Sequence, residues 1–375
     1  MGIVWSDWCW WVLRDKVARF VYNPGMSKTQ KQVVVNEFGP VENLLLEEVA
    51  VPTPGSGEVL IRLSSIGMNH ADLLARKGLY KISSGEPPFT PGIEGGGVIE
   101  AVGDGVKSVA AGDRVVITPD APRAAAGGFG GTYREYYCVP ENKVLKAPDE
   151  IPNEQLGALW LPYLTAWGCL VWKHGIKEGD IVAIPAASSS VALAAAQIAK
   201  RHGCKTIGLT TSQDKVEKLQ GMATAKYDHI VLTHEKDGEC NRTMLPWHKE
   251  MRTLTEGKGV NVFFDPVASG AYLNTEIKCL AQFGVVYVYG LLGRPGTVDV
   301  TPLIRKFASI TGWVLGELMF AGEDAWSTGC KHILEGFADG SYKQHVDGTY
   351  KLADVQKAHA EMQKGVHIGK LVLIP

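Results

Sequence analysis

DIVAIPAASSSVALAAAQIAKRHG (Asp180–Gly203) is the stretch that decides the fold. Asp180–Ala186 is apolar and β-branched with no polar alternation, the composition of a strand buried on both faces. From Ser188 to Gly203 the pattern predicts a helix. Serine caps its start, alanines keep it thin enough to lie against a sheet, and Gly203 stops it.

Outward from this unit the period repeats. CKTIGLTT is a strand, DKVEKLQG a helix and HIVLTH a short strand; NVFFDPV is a strand, YLNTEIKCLAQFG a helix and VVYVYGLLG a strand. Strands alternating with helices predict right-handed crossovers and a parallel sheet. Between Lys31 and Pro148 the texture differs. Val33–Val35, Glu58–Leu63, Gly97–Val102, Arg114–Ile117 and Gly131–Pro140 are short β-branched runs cut by Gly, Pro and Asp, which predicts an antiparallel, barrel-like unit. After about Leu315 the chain reads as helices followed by a last strand, GKLVLIP.

Residues 1–25 look foreign to the rest. Trp8, Trp11, Val12, Ala18 and Tyr22 fall at roughly helical spacing, Pro24-Gly25 would end such a helix, and Met26 opens the strand-like MSKTQKQVVVNEFG. Asp7, Arg14, Asp15 and Lys16 break up any secretory core. The chain has 375 residues, enough for two ordinary domains. A formal net charge of −2 with no basic run argues against a nucleic-acid partner. No apolar run approaches the ~20 residues of a membrane span, so no membrane partner is expected. The seven cysteines are scattered without a CxxC pair, which predicts reduced thiols rather than a disulfide framework or a structural zinc loop. A cytoplasmic location is the expectation, and a mitochondrial one stays open.

The turn after the first buried strand tests for a dinucleotide. The usual fingerprint is GxGxxG, whose glycines let the backbone approach pyrophosphate. Here the turn is Ala187-Ser188-Ser189-Ser190-Val191-Ala192, with all three glycines replaced. Small residues and serines at a helix start still favour an anion; a plain Ser-capped helix reads the same way. At the end of the second strand, NAD enzymes place an acid that would repel a 2′-phosphate. This chain has Thr210, Thr211 and Ser212, then Lys215. Hydroxyls and a nearby cation suit NADPH; a solvated loop is the alternative.

Several segments together resemble the medium-chain dehydrogenase/reductase superfamily, in its zinc-free, quinone-oxidoreductase-like (alcohol-dehydrogenase-like) branch. They are GMNHADLLARKG from Gly67, PGIEGGGVIEAVGDGV from Pro91, GTYREYYCVP from Gly131, LTAW from Leu164, FFDPV from Phe263, VYGLLG from Val288 and the terminal GKLVLIP. The likeness runs from about Ser27 to Pro375. It implies an α/β fold with a GroES-like β-barrel catalytic domain (26–155), a Rossmann-type parallel-sheet cofactor domain (156–314) and a return segment (315–375) completing the catalytic domain, after an N-terminal extension (1–25).

The resemblance also implies roles. In the zinc enzymes a Cys and a His stand where this chain has Asn69 and Ile93, and Leu161 stands at the third ligand position. Amide and alkyl groups are not usual zinc ligands, so no metal is expected. Thr165 should lie near the nicotinamide; Ser189, Ser190 and Val191 should face the pyrophosphate. Thr210, Ser212 and Lys215 should meet the adenosine phosphate, and Gly290, Leu291 and Leu315 should line the nicotinamide pocket. Asp72 and Glu94 read as structural hydrogen-bonders, Trp167 as core, and Asp265 as the brace of a loop near the cofactor ribose. The strand around Ser309–Val314 should be a sheet edge that pairs with its copy in a homodimer, with Ile310, Trp313 and Val314 as its apolar set.

The expected activity is zinc-independent, NADPH-dependent hydride transfer to an activated C=C bond (enone or enoyl) or a quinone. Asn69 is the candidate donor to a developing enolate oxygen. His70 and Tyr133, with Tyr136 beside it, are candidate proton donors. A metal-free carbonyl or alcohol oxidoreductase and a non-catalytic member of the fold are the alternatives.

Overall fold

The computed structural model describes residues 28–80, 85–119, 130–237 and 241–375. The helix expected within 1–25 and the start at Met26 lie outside the described residues.

The strand read from the opening stretch is Ile181–Pro185, and it sits third in a six-stranded sheet. The order is His229–Leu232, Lys205–Thr210, Ile181–Pro185, Val260–Asp265, Leu280–Val288 and Ser309–Gly312, every pair parallel. The order reverses direction beside Ile181–Pro185, and such a switch point leaves a crevice at the carboxyl ends of the strands. The helix that follows, Ser190–Arg201, buries Ala192, Ala194, Ala195, Ala196 and Ala199. Its small side chains share one core with the Trp160–Trp167 helix, where Trp167 is 4% exposed.

The β-rich unit is a seven-stranded sheet built on a six-strand path. It runs Val346–Lys351, Lys370–Ile374, Glu58–Gly67, Gly95–Val102, Arg114–Ile117 and Val144–Lys146, with Tyr136–Pro140 added to Glu58–Gly67. The GGG of this unit is a packing requirement. A Cβ on Gly97 would come within 2.1 Å of the Arg62 carbonyl oxygen on the neighbouring strand. After Ser309–Gly312 the chain first adds Leu318, Ile333 and Phe337 to the core beneath the parallel sheet, and it reaches the barrel sheet only at Val346.

Two local readings differ from the observed elements. The helix expected through LAQFG ends at Cys279, because Leu280 turns to extended backbone and pairs with Val260. The chain beyond His234 forms a hairpin, His234–Asp237 against Asn241–Met244, in a polar region with no strand period to announce it.

Candidate active site

A cleft of about 1730 Å³ runs from the carboxyl ends of the parallel strands to the barrel. At the nucleotide end, the first βα turn forms its floor. Ser189 caps the helix, its Oγ accepting from Ala192 N–H at 3.2 Å, and Ser188, Ser190 and Val191 line the same wall. The glycine-free turn still uses a left-handed residue, Ala186 at φ 50°. Asp265 accepts from the Val267 and Ala268 N–H groups at 2.6 and 2.9 Å, bracing the loop whose Pro266, Val267 and Ser269 face the cleft. Burial pushes its carboxyl up to about 6.

Thr210 and Ser212 stand at the second strand end and line the cleft. Lys215 is also there, but its ammonium is fully engaged. It donates to Ser188 Oγ at 2.8 Å, the Gly365 carbonyl at 2.8 Å and the His367 carbonyl at 3.2 Å. Burial, with Arg242 nearby, lowers its pKa. Arg242, from the hairpin, donates to Thr211 Oγ1 and lines this end.

In the middle, Thr165, Gly290, Leu291 and Leu315 line the cleft together. The Thr165 carbonyl accepts from Trp313 Nε1 at 2.9 Å, which fixes the helix against the segment that follows the Ser309–Gly312 strand. Leu291 is 78% exposed at the mouth, so it is rim rather than wall.

The barrel end differs from the expected arrangement. Asn69 lines the cleft, but its amide is spent. Nδ2 donates to the Gly67 carbonyl at 3.2 Å and to Glu94 Oε1 at 3.0 Å, while Oδ1 accepts from Lys370 Nζ at 2.6 Å. Both of its N–H bonds are used, so Asn69 has no spare donor for a substrate oxygen. Lys370 also bonds Glu94, each side chain 1% exposed, and the second Glu94 oxygen accepts from Leu161 N–H at 3.0 Å.

Tyr133 is a correction as well. It is fully buried and does not line the cleft. Its hydroxyl faces Asp72 Oδ2 and His359 Nε2, both at 3.2 Å. Asp72 in turn accepts from the Asn69 backbone N–H at 2.8 Å, and burial pushes its carboxyl up to about 7. Tyr136 lies on the barrel strand under the Lys28 ammonium, away from the cleft. Of the candidate donors, His70 alone reaches it. Desolvation and Lys77 hold its imidazole below the usual value.

With this geometry in place, comparison with known proteins is direct. Residues 55–149 match the family described as alcohol dehydrogenase GroES-like domain, and residues 190–333 the family described as zinc-binding dehydrogenase. The rat quinone oxidoreductase is 30% identical over 354 residues, covering 93% of this chain and 98% of that protein. The human synaptic vesicle membrane protein VAT-1 homolog is 29% identical, covering 92% and 86%. The crystal structure of Escherichia coli quinone oxidoreductase complexed with NADPH superposes with a TM-score of 0.78 at 26% identity, covering 92% and 100%.

The chain belongs to the medium-chain dehydrogenase/reductase superfamily, in its quinone-oxidoreductase-like branch.

It is therefore an oxidoreductase that uses a nicotinamide cofactor. The nucleotide end fits such a cofactor, with a helix N-terminus, serine hydroxyls and cations along one wall. A superfamily zinc ion does not fit. Asn69, Ile93 and Leu161 offer an amide and two alkyl groups, and the nearby Glu94 is already paired with Lys370. Sequence reasoning missed Lys370 and Arg242. Lys370 stood in the quoted GKLVLIP with no hint of a partner 301 residues away. Arg242 belongs to no motif. No helix among the described residues is long and apolar enough to cross a membrane.

Proposed function

We propose that this protein is an NADPH-dependent, metal-free reductase of electron-poor carbons, with quinones as better substrates than enones. One observation carries the reading. The cleft joins a nucleotide wall to an apolar barrel end where Asn69 is fully bonded and Tyr133 faces inward. Bound NADPH supplies hydride. Ser189, Ser190 and Val191 would hold its pyrophosphate, and Thr165, Gly290 and Leu315 would hold the carboxamide end. Ile93, Leu161 and Leu315 exclude water and press the acceptor into line. The Lys370–Glu94–Asn69 cluster sets the position of that wall and moves no proton. A reduced quinone delocalises its charge over its own ring and asks for no acid. A reduced enone needs a proton at its α-carbon, and His70, the candidate donor that lines the cleft, would relay it from water, one ring nitrogen giving a proton as the other takes one.

The test is NADPH oxidation against quinones, enones and aldehydes, with and without a chelator. Hydroquinones and saturated ketones, formed at chelator-independent rates, are expected. Allylic alcohols, or activity lost to the chelator, would overturn the reading.

We also propose a homodimer through Ser309–Gly312, an edge strand that carries the half-buried Ile310. Trp313 is not part of that face, being 4% exposed and bonded inward to Thr165. Val314, 52% exposed, lines the cleft. Light scattering is expected to give twice the mass of the chain, falling toward one chain for Ile310→Lys.

A further inference from the structure

We infer that Arg242, and not Lys215, is the residue that reads the 2′-phosphate of the nucleotide. The inference rests on the cofactor reading above and deepens it. An ammonium has three donors, and Lys215 has three acceptors, all from the protein. Two are main-chain carbonyls of the 365–367 segment, and the third is the Ser188 hydroxyl of the βα turn. Lys215 is thus a brace, tying the turn that meets the pyrophosphate to the C-terminal segment. To bind a phosphate it would have to surrender bonds that hold the floor of the site.

Arg242 has the opposite arrangement. It is exposed on the hairpin strand Asn241–Met244 and lines the cleft. One guanidinium N–H is anchored on Thr211 Oγ1, beside the strand end where an acidic side chain would hold a ribose 2′-OH. A guanidinium carries five donors in a planar fork, so most remain to grip a dianion in bidentate fashion. Lys218 lines the same wall, and Asp214 is the carboxylate that opposes them. With the three Lys215 donors taken by the protein, Arg242 is the cation anchored at the strand end with donors still unspent. The hairpin is the device that brings it there, across 31 residues of sequence.

The experiment is equilibrium titration with NADPH, NADH and 2′,5′-ADP, followed by tryptophan fluorescence. It compares the parent with Arg242→Gln, Arg242→Lys and Lys215→Met, each checked for folding by circular dichroism and melting temperature. The parent is expected to prefer NADPH over NADH by about tenfold or more. Arg242→Gln should lose that preference, with a similar loss for 2′,5′-ADP and little change for NADH. Arg242→Lys should recover part of it. Lys215→Met should weaken both dinucleotides alike and lower the melting temperature. An unchanged NADPH:NADH ratio in Arg242→Gln would overturn the inference, as would a ratio that collapses in Lys215→Met alone. Selective binding by the parent without turnover of quinones or enones sinks the proposed function and leaves Arg242 standing. Turnover with an unaltered ratio in Arg242→Gln does the reverse.

Discussion

The two ends of the cleft use their polar groups in opposite ways. At the barrel end, Asn69, Glu94 and Lys370 bond to one another, and Asp72, Tyr133 and His359 form a second buried set behind them. At the nucleotide end, the Ser190, Ser212 and Arg242 side chains meet the cleft itself. At the barrel end the Asn69–Glu94–Lys370 cluster is closed on itself; the nucleotide end is open and receptive. A wall whose donors are all satisfied can position a substrate and exclude water, but it cannot follow a developing charge.

The closed cluster at the barrel end predicts the largest effect. Lys370 and Glu94 are each 1% exposed, so removing one partner strands a buried charge. Glu94→Gln or Lys370→Met alone should cost about 3–5 kcal/mol in urea denaturation. The double variant Glu94→Leu with Lys370→Met should be more stable than either single variant. If the singles cost no more than an exposed ion pair, about 1 kcal/mol, the barrel end does not hold the closed cluster described.

The second buried set sharpens the comparison through pH. Burial and Arg76 hold the His359 imidazole down to about 3, so the folded protein refuses a proton that the unfolded chain accepts below ~6.5. Stability from this group is complete above that value and is lost as pH falls from ~6.5 toward 3. Asp72 has the opposite sign. Held up to about 7, it keeps a proton that the unfolded chain releases above ~4, so its contribution falls as pH rises from ~4 to 7. In the parent the two slopes offset each other between about pH 4.5 and 6.5. His359→Gln should expose the Asp72 slope, at most ~1.4 kcal/mol per pH unit, so that stability declines with rising pH in that window. Parallel profiles for parent and variant would show that the set does not titrate as described.

The smallest effect lies in the turn at the nucleotide end. Ala186 holds φ 50°, a conformation that suits glycine. Ala186→Gly should stabilise the protein by up to about 1 kcal/mol, with relief of the left-handed strain partly offset by the entropy of the freer chain. A loss of stability would mean that the Ala186 methyl packs more than it strains.

Legibility in the sequence followed the range of each interaction. The parallel sheet could be read because Asp180–Gly203 declares a buried strand, a cap and a small-residue helix within 24 consecutive residues. Ser189, Thr210 and Ser212 were legible for the same reason, since strand ends and helix starts are local. The saturation of Asn69 was not, because it depends on Lys370, 301 residues away. The inward turn of Tyr133 depends on His359, at a separation of 226. Lys215 was legible as a cation beside the second strand end, but its carbonyl partners lie 150 and 152 residues on, so its engagement could not be seen. The pattern located the groups; only the packing showed which of them were already taken.

The central contrast, a barrel end whose Asn69, Glu94 and Lys370 position without donating and leave His70 as the proton route, is tested most directly by comparing a para-quinone with a cyclic enone in His70→Gln. The measurement is kcat/KM for each acceptor at saturating NADPH. Enone turnover should fall by about a hundredfold, the scale of a lost general acid, and quinone turnover by far less. Equal losses on the two acceptors would contradict the contrast and show that the barrel end serves both through a shared donor.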